Sequence, residues 1–409
     1  MKNVDEDTGA QLETTLTTTI EKTTTIENWV AVTNQWPPFT ASGYTVVADP
    51  TLVSSIKSHP LIPQVSPSID TIASASLAEI GPAASTPSNY IFNSQSNSNI
   101  AIYYGQSPLT SSSSLSTQCT YPAIDIVIVA FVTSQTDFSG TSRYPTVNFG
   151  VACNFDQTPL MASQARGLLY CPDLAREIKI CQGVGKKVLL SLGGYTGTIA
   201  FGSEEEAIEF AGLLWGLFGP WEGNELKVDE GLRPFGRIVL DGFDIDSENN
   251  QPQYYETLAK TLRYLFSTAT DKTYYLSSAP QCPFPDASNP TSMLLLCDFV
   301  FVQFYNNPSC EVGSSGHDAS IKQWASVLKG EGKDRSLKWF LGAPAWSAAG
   351  PTAYANFGSA EAMKAVARHV ASERFENFGR VMFWAGPEGL ANMGGGKSII
   401  AWAKEGLDI

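Results

Sequence analysis

The sequence predicts a closed (β/α)8 TIM barrel preceded by a low-complexity N-terminal segment. From Asn99 onward, eight short apolar runs recur, rich in Val, Ile, Phe and Tyr. They are continuous rather than alternating, the pattern of strands covered on both faces and hence parallel. Helical periodicity fills several of the gaps. Eight buried strands alternating with helices over about 310 residues close into a barrel. A doubly wound open sheet is the alternative. No Gly-x-Gly-x-x-Gly follows the first run, which weakens a dinucleotide-binding version of that sheet.

In chain order the predicted strands are Ile100–Tyr104, Ile124–Val132, Lys187–Leu192, Arg237–Ile245, Tyr274–Ser278, Phe299–Tyr305, Trp339–Ala343 and Val381–Trp384. Asp173–Gly183 places Leu174, Ile178 and Cys181 on one helical face. Glu204–Phe218 does the same with Ala207, Phe210, Leu214 and Phe218, and Tyr254–Thr268 and Ser359–Glu373 read likewise. Residues 1–97 follow a different pattern. Thr14 to Thr25 holds eight Thr, and Ser66 to Asn99 is rich in Ser, Pro, Asn and Ala. Such stretches bury too little apolar surface to fold alone, so 1–97 reads as a linker or partly disordered segment and 98–409 as the barrel domain. An aromatic patch, Asn28 to Val47 with Trp29, Trp36, Phe39 and Tyr44, is expected to pack on the main domain, a small carbohydrate-binding element being the alternative.

With 43% hydrophobic and 16% charged residues, the chain has the ordinary mix of a globular protein. A net charge of −14 argues against nucleic-acid or anionic-membrane partners, whose phosphates need clustered Lys and Arg. No run approaches the 18 or so apolar residues of a membrane helix. Met1 to Ala10 carries Asp5, Glu6 and Asp7 and lacks the basic start and apolar middle of a secretory signal.

The most informative segment is Asp241-Gly242-Phe243-Asp244-Ile245-Asp246-Ser247-Glu248. Strand side chains alternate faces, so Asp244, Asp246 and Glu248 point one way, Asp241 lies outside that register, and Phe243 and Ile245 pack on the other face. An EF-hand loop needs flanking helices, whereas this run ends an apolar strand. Three carboxylates on one buried face are electrostatically costly, so one or two should carry raised pKa values, as suits a general acid. In a barrel, the C-terminal ends of the strands carry the chemistry.

This run resembles the Asp-Gly-x-Asp-x-Asp-x-Glu signature of glycoside hydrolase family 18, and Ser191-Leu192-Gly193-Gly194 resembles that family's Ser-x-Gly-Gly motif. Ile100–Gln106, Ala279–Asp286, Val302–Pro308 and Val381–Trp384 are similar to strand segments of its plant and fungal class III chitinases. The resemblance spans Asn99 to the C-terminus and omits the first 97 residues. It implies an endo-acting chitinase that hydrolyses β-1,4-N-acetylglucosamine linkages with retention, the substrate's own acetamido group serving as nucleophile. By the resemblance, Glu248 is the proton donor, Asp246 orients the acetamido group, Asp244 supports Asp246, and Tyr305 bonds near the acetamido carbonyl. Tyr103, Gln303, Asn306 and Gly194 would line the site, with Trp384 as the floor under the sugar. Departures fall on the cleft rim: Ser107-Pro108-Leu109 follows Gly105-Gln106, and Tyr195 follows Gly194. Two other readings share the barrel, an endo-β-N-acetylglucosaminidase acting on N-linked glycans and a non-catalytic chitin-binding or inhibitor protein.

The resemblance also pairs Cys119 with Cys181, Cys153 with Cys171 and Cys282 with Cys310, leaving Cys297 as a small buried hydrophobe. Three disulfides imply an oxidising compartment and thus a secreted protein. The chain has three His, and no pair reads Cys-x-x-Cys, so neither a metal site nor a cofactor is expected. Without Gly-x-Ser-x-Gly, a Ser–His–Asp triad has no support. No Asn-x-Ser/Thr sequon with x other than Pro occurs. The expected partners are chitin or N-acetylglucosamine oligosaccharides, bound by a monomer.

Overall fold

A computed structural model describes residues 90–408, apart from 138, 139, 141 and 330–336. The aromatic patch around Trp29 and Trp36, and all of 1–89, lie outside the described residues. The chain forms β1 (Asn99–Tyr104), β2 (Ile126–Ser134), β3 (Thr146–Val147), β4 (Lys187–Gly193), β5 (Gly242–Asp246), β6 (Tyr275–Ser278), β7 (Phe299–Gln303), β8 (Lys338–Pro344) and β9 (Phe378–Trp384). The sheet order is β1-β9-β8-β7-β6-β5-β4-β2, with β1 pairing back to β2, and every one of these pairings is parallel. Eight strands thus close the predicted barrel. The short β3 was not foreseen; it adds antiparallel to β2.

Alternation along each strand builds two cores. Ile100, Ile102, Phe243 and Ile245 face outward into the layer beneath the helices. Ala101, Tyr103, Ile126, Ile128, Phe299, Phe301 and Phe340 fill the barrel interior. The helix Glu204–Phe218 buries Ala207, Phe210, Leu214 and Phe218, the face its periodicity predicts, and Ser203 Oγ caps it by accepting from Glu206 N. Helices His317–Leu328, Pro351–Phe357 and Ile399–Leu407 were not read from the sequence.

The strand predicted at Arg237–Ile245 is much shorter, and those at Tyr274–Ser278 and Phe299–Tyr305 lose one and two residues. Residues 237–241 precede β5 rather than extend it. The Arg233 guanidinium, fully buried, donates to the carbonyls of Gly236 and Ile238 and to those of Gly216 and Gly219 at the end of the preceding helix. Those carbonyls bond Arg233 in place of a neighbouring strand, so pairing begins at Gly242.

At the N-terminal mouth of the barrel, Phe92 packs edge-on against Tyr275 at 5.6 Å and against Phe299 at 6.3 Å. Tyr90 Oη donates to Asp125 Oδ1 at 2.6 Å, and Lys186 Nζ lies 3.9 Å from the Tyr90 ring centre. The cysteines pair as Cys119–Cys181, Cys153–Cys171 and Cys282–Cys310. Cys297 is buried outside these pairs, with Sγ directed at the Met293 carbonyl. No helix among the described residues is long and apolar enough to cross a membrane.

Candidate active site

The end of β5 is where the carboxylates gather, and strand register explains how each is held. Asp244 pairs in register with Ser191 on β4 and Ser277 on β6. All three point into the barrel at one level. Ser191 Oγ donates to Asp244 Oδ2 at 2.7 Å, Ser277 Oγ to Oδ1 at 2.6 Å, and Tyr103 Oη, from β1 across the barrel, to Oδ2 at 2.8 Å. Bulk water does not reach Asp244, whose exposure is 0%.

One level higher, Asp246 pairs in register with Gly193. A Cβ at Gly193 would sit 2.3 Å from the Asp246 carbonyl oxygen, and the residue has φ +109°. Only glycine fits there. Gly194, with φ +74°, donates its N–H to the same carbonyl at 2.7 Å and lies against the Phe131 ring. The Ser-x-Gly-Gly segment therefore sets the approach of β4 to β5. The Gln303 amide donates to Asp246 Oδ1 and to the Ala279 carbonyl, both at 2.9 Å.

Glu248 follows the strand and is half-buried. The Gln303 and Gln281 amides lie beside its carboxyl and favour its charged form. Asp286, on the loop after β6, takes the backbone N–H groups of Gln281, Ser288 and Asn289 and the Asn289 side chain, which also reaches the Ser247 carbonyl at 2.9 Å. The loop after β6 is thereby knotted to the residue next to Glu248.

Burial raises the proton affinity of all three acids, where the sequence led us to expect one or two. Asp244 lies above its usual range through burial, against three hydroxyls that favour its charged form. Burial, then the charges of Glu248, Asp244 and Asp286, push Asp246 well up, opposed by Gln303. Glu248 is pushed up to about 7, by burial first and then by Asp286, opposed by the two glutamine amides. Like charges this close do not both ionise at neutral pH, so Asp246 and Glu248 titrate as a pair that retains a proton. Burial and then the charges of Asp246, Glu248 and Asp244 raise the Tyr305 hydroxyl well above its usual value, so it stays neutral.

Tyr103, Phe131 and Trp384 form an aromatic wall: Trp384 lies 5.4 Å from Tyr103 and stacks on Phe131 at 6.0 Å, ring centre to ring centre. Trp384 stays partly exposed at the end of β9. Asn306 sits apart on the exposed rim, where its side chain donates to the Ala349 carbonyl at 3.2 Å. Phe131, Trp346, Gln281 and Asp286 belong to the neighbourhood and were not singled out in the sequence. Gln281 and Asp286 lie within the quoted segment Ala279–Asp286. Trp346 follows β8 by two residues, the position where barrel strands place functional side chains.

The family model for glycosyl hydrolases family 18 matches residues 99–383. The chain belongs to that family. It is 39% identical over 306 residues to Chitinase 3 of Candida albicans, covering 73% of this chain and 49% of that protein. It spans between about a quarter and about half the length of the curated relatives it matches. The solved chitinase from Ipomoea carnea superposes with a TM-score of 0.59 at 30% identity, covering 75% of this chain and 99% of that one. A xylanase and alpha-amylase inhibitor protein from Scadoxus multiflorus superposes with a TM-score of 0.56 at 27% identity, covering 72% of this chain and 95% of the other. This barrel is therefore similar both to a chitinase and to an inhibitor protein.

Proposed function

We propose that this chain is an endo-acting chitinase, cleaving β-1,4-N-acetylglucosamine linkages with retention. The observation that carries this reading is the placement of Asp246 and Glu248 at the C-terminal end of a barrel strand, where burial and neighbouring charge raise the proton affinity of both beside a neutral Tyr305. Glu248 protonates the leaving glycosidic oxygen. A second enzyme carboxylate does not serve as nucleophile, because Asp246 lies two residues from Glu248 on one strand face, and family 18 is a recognised exception to the two-carboxylate scheme. The substrate's acetamido oxygen attacks C1, Asp246 holds the acetamido N–H, and Tyr305 bonds near its carbonyl. The C1–O bond to the leaving sugar breaks as Glu248 gives up its proton, and an oxazolinium ion forms. Water, deprotonated by Glu248, then opens the ring at C1. Attack from within the substrate gains the entropy of a positioned nucleophile. Trp384 offers an apolar face to the sugar at the cleavage point, Tyr103 and Gln303 line the cleft, and Asn306 stands on its rim.

The inhibitor reading gains support from the Scadoxus likeness, and the intact acid, Glu248, favours an enzyme. Glycan trimming by an endo-β-N-acetylglucosaminidase would use the same carboxylates, and the named chitinases among the relatives favour chitin. The three disulfides support a secreted protein. We further propose that it acts as a monomer. Hydrolysis of a fluorogenic chitotrioside tests the enzyme reading. Turnover by the parent chain, and a fall of roughly 10² or more in Glu248→Gln with oligomer binding kept, is the expected outcome. Binding without turnover by the parent chain identifies a lectin or inhibitor.

A further inference from the structure

The loop after β6 and the loop after β7 meet at Glu248 through two amides. Gln281 forms a parallel bridge with Gln303, which brings it beside the acid. Its backbone N–H is held by Asp286 Oδ2 at 2.9 Å. Its side-chain oxygen accepts from Asn307 Nδ2 at 3.1 Å. With the oxygen turned to Asn307, the N–H is the end of the amide left for the neighbouring Glu248 carboxyl. Asn307 is itself fixed: its carbonyl accepts from the N–H groups of Cys310 and Glu311, each at 3.0 Å. The disulfide Cys282–Cys310 joins the residue after Gln281 to this same turn.

We infer that Gln281 and Asn307 are positioning residues for Glu248: Asn307 sets which way the Gln281 amide points, and the amide holds the acid's carboxyl in place. An amide can present either its N–H or its oxygen to a neighbour, and only the N–H suits a carboxylate. Asn307 Nδ2 is a donor, so it selects the Gln281 oxygen and leaves the N–H for Glu248. The other groups facing Glu248 are Asp246 from β5, Asp286 from the loop after β6, Gln303 from β7 and Tyr305 just beyond it. The carboxylates keep the proton on Glu248, and the two glutamines favour its release. Both states are needed, since Glu248 is acid in the first step and base in the second. This inference deepens the proposed function and rests on Glu248 as the acid.

The test is a carbon-13 carboxyl titration of Glu248 by NMR in the full chain, with the resonance identified by its loss in Glu248→Gln. In the parent chain its midpoint is expected at about 7. Gln281→Leu removes a donor to the charged form, so the midpoint should rise by about one pH unit, the effect of one hydrogen bond to a charged group. Asn307→Ala should raise it by less, and should add nothing in the Gln281→Leu background, since it acts through that amide. The alkaline limb of the turnover profile should move with the NMR midpoint. An unchanged midpoint in Gln281→Leu, or an Asn307→Ala effect that simply adds to it, overturns the inference. The titration needs no turnover, so an inactive parent chain would overturn the functional reading alone.

Discussion

Glu248 carries the argument at the scale of single residues, and its environment fixes a pH dependence. A group that must be protonated to act, and whose proton affinity is raised, works up to its raised pKa and fails above it. The value of kcat/KM on chitin oligomers should therefore fall as pH rises through about 7, with the limb reporting the Asp246–Glu248 pair. A limb near the ordinary carboxylate range would mean that the pair is solvated in the free enzyme. The alternating carboxylates were legible in the sequence because strand geometry has period two and Asp244, Asp246 and Glu248 keep it. The residues that tune them were not. Gln281, Asp286 and Asn307 come from two other strand ends, and nothing in local spacing says that an amide or a fourth acid will face Glu248.

Among the elements, the eight barrel strands were legible because each is buried on both faces and reads as an apolar run. The boundaries near Arg237 were not, since a buried arginine claims carbonyls that a strand would otherwise use. The loops are held differently, and the pair Cys282–Cys310 shows how. It closes a 28-residue separation between the two loops that meet at Glu248. Replacing both cysteines by Ser should cost about 3 kcal/mol of stability in urea denaturation. The alkaline limb of turnover should also move upward as Gln281 and Asn307 lose their fixed spacing. A stability loss with an unmoved limb would confine this disulfide to holding the fold.

For the molecule as a whole, the closed barrel was legible from the count and texture of its strands, while the role of the residues just before them was not. Phe92 and Tyr90 fall in a stretch that composition assigns to the linker, yet Phe92 packs on Tyr275 and Phe299 at the barrel mouth. A chain beginning at residue 99 should therefore be less stable than one beginning at residue 90. Since Phe92 is only half-buried, the difference should be about 1–3 kcal/mol, at or below the low end for a large-to-small core change. Equal thermal midpoints would show that this contact contributes nothing. Activity on soluble oligomers should survive in both, because every catalytic side chain lies beyond Asn99. The central claim is that the substrate supplies the nucleophile and Glu248 the proton. The most direct measurement follows the anomeric protons of newly formed ends by NMR in the first moments of chitin-oligomer cleavage. Retention through the acetamido group predicts β-anomers; α-anomers as first products would contradict it.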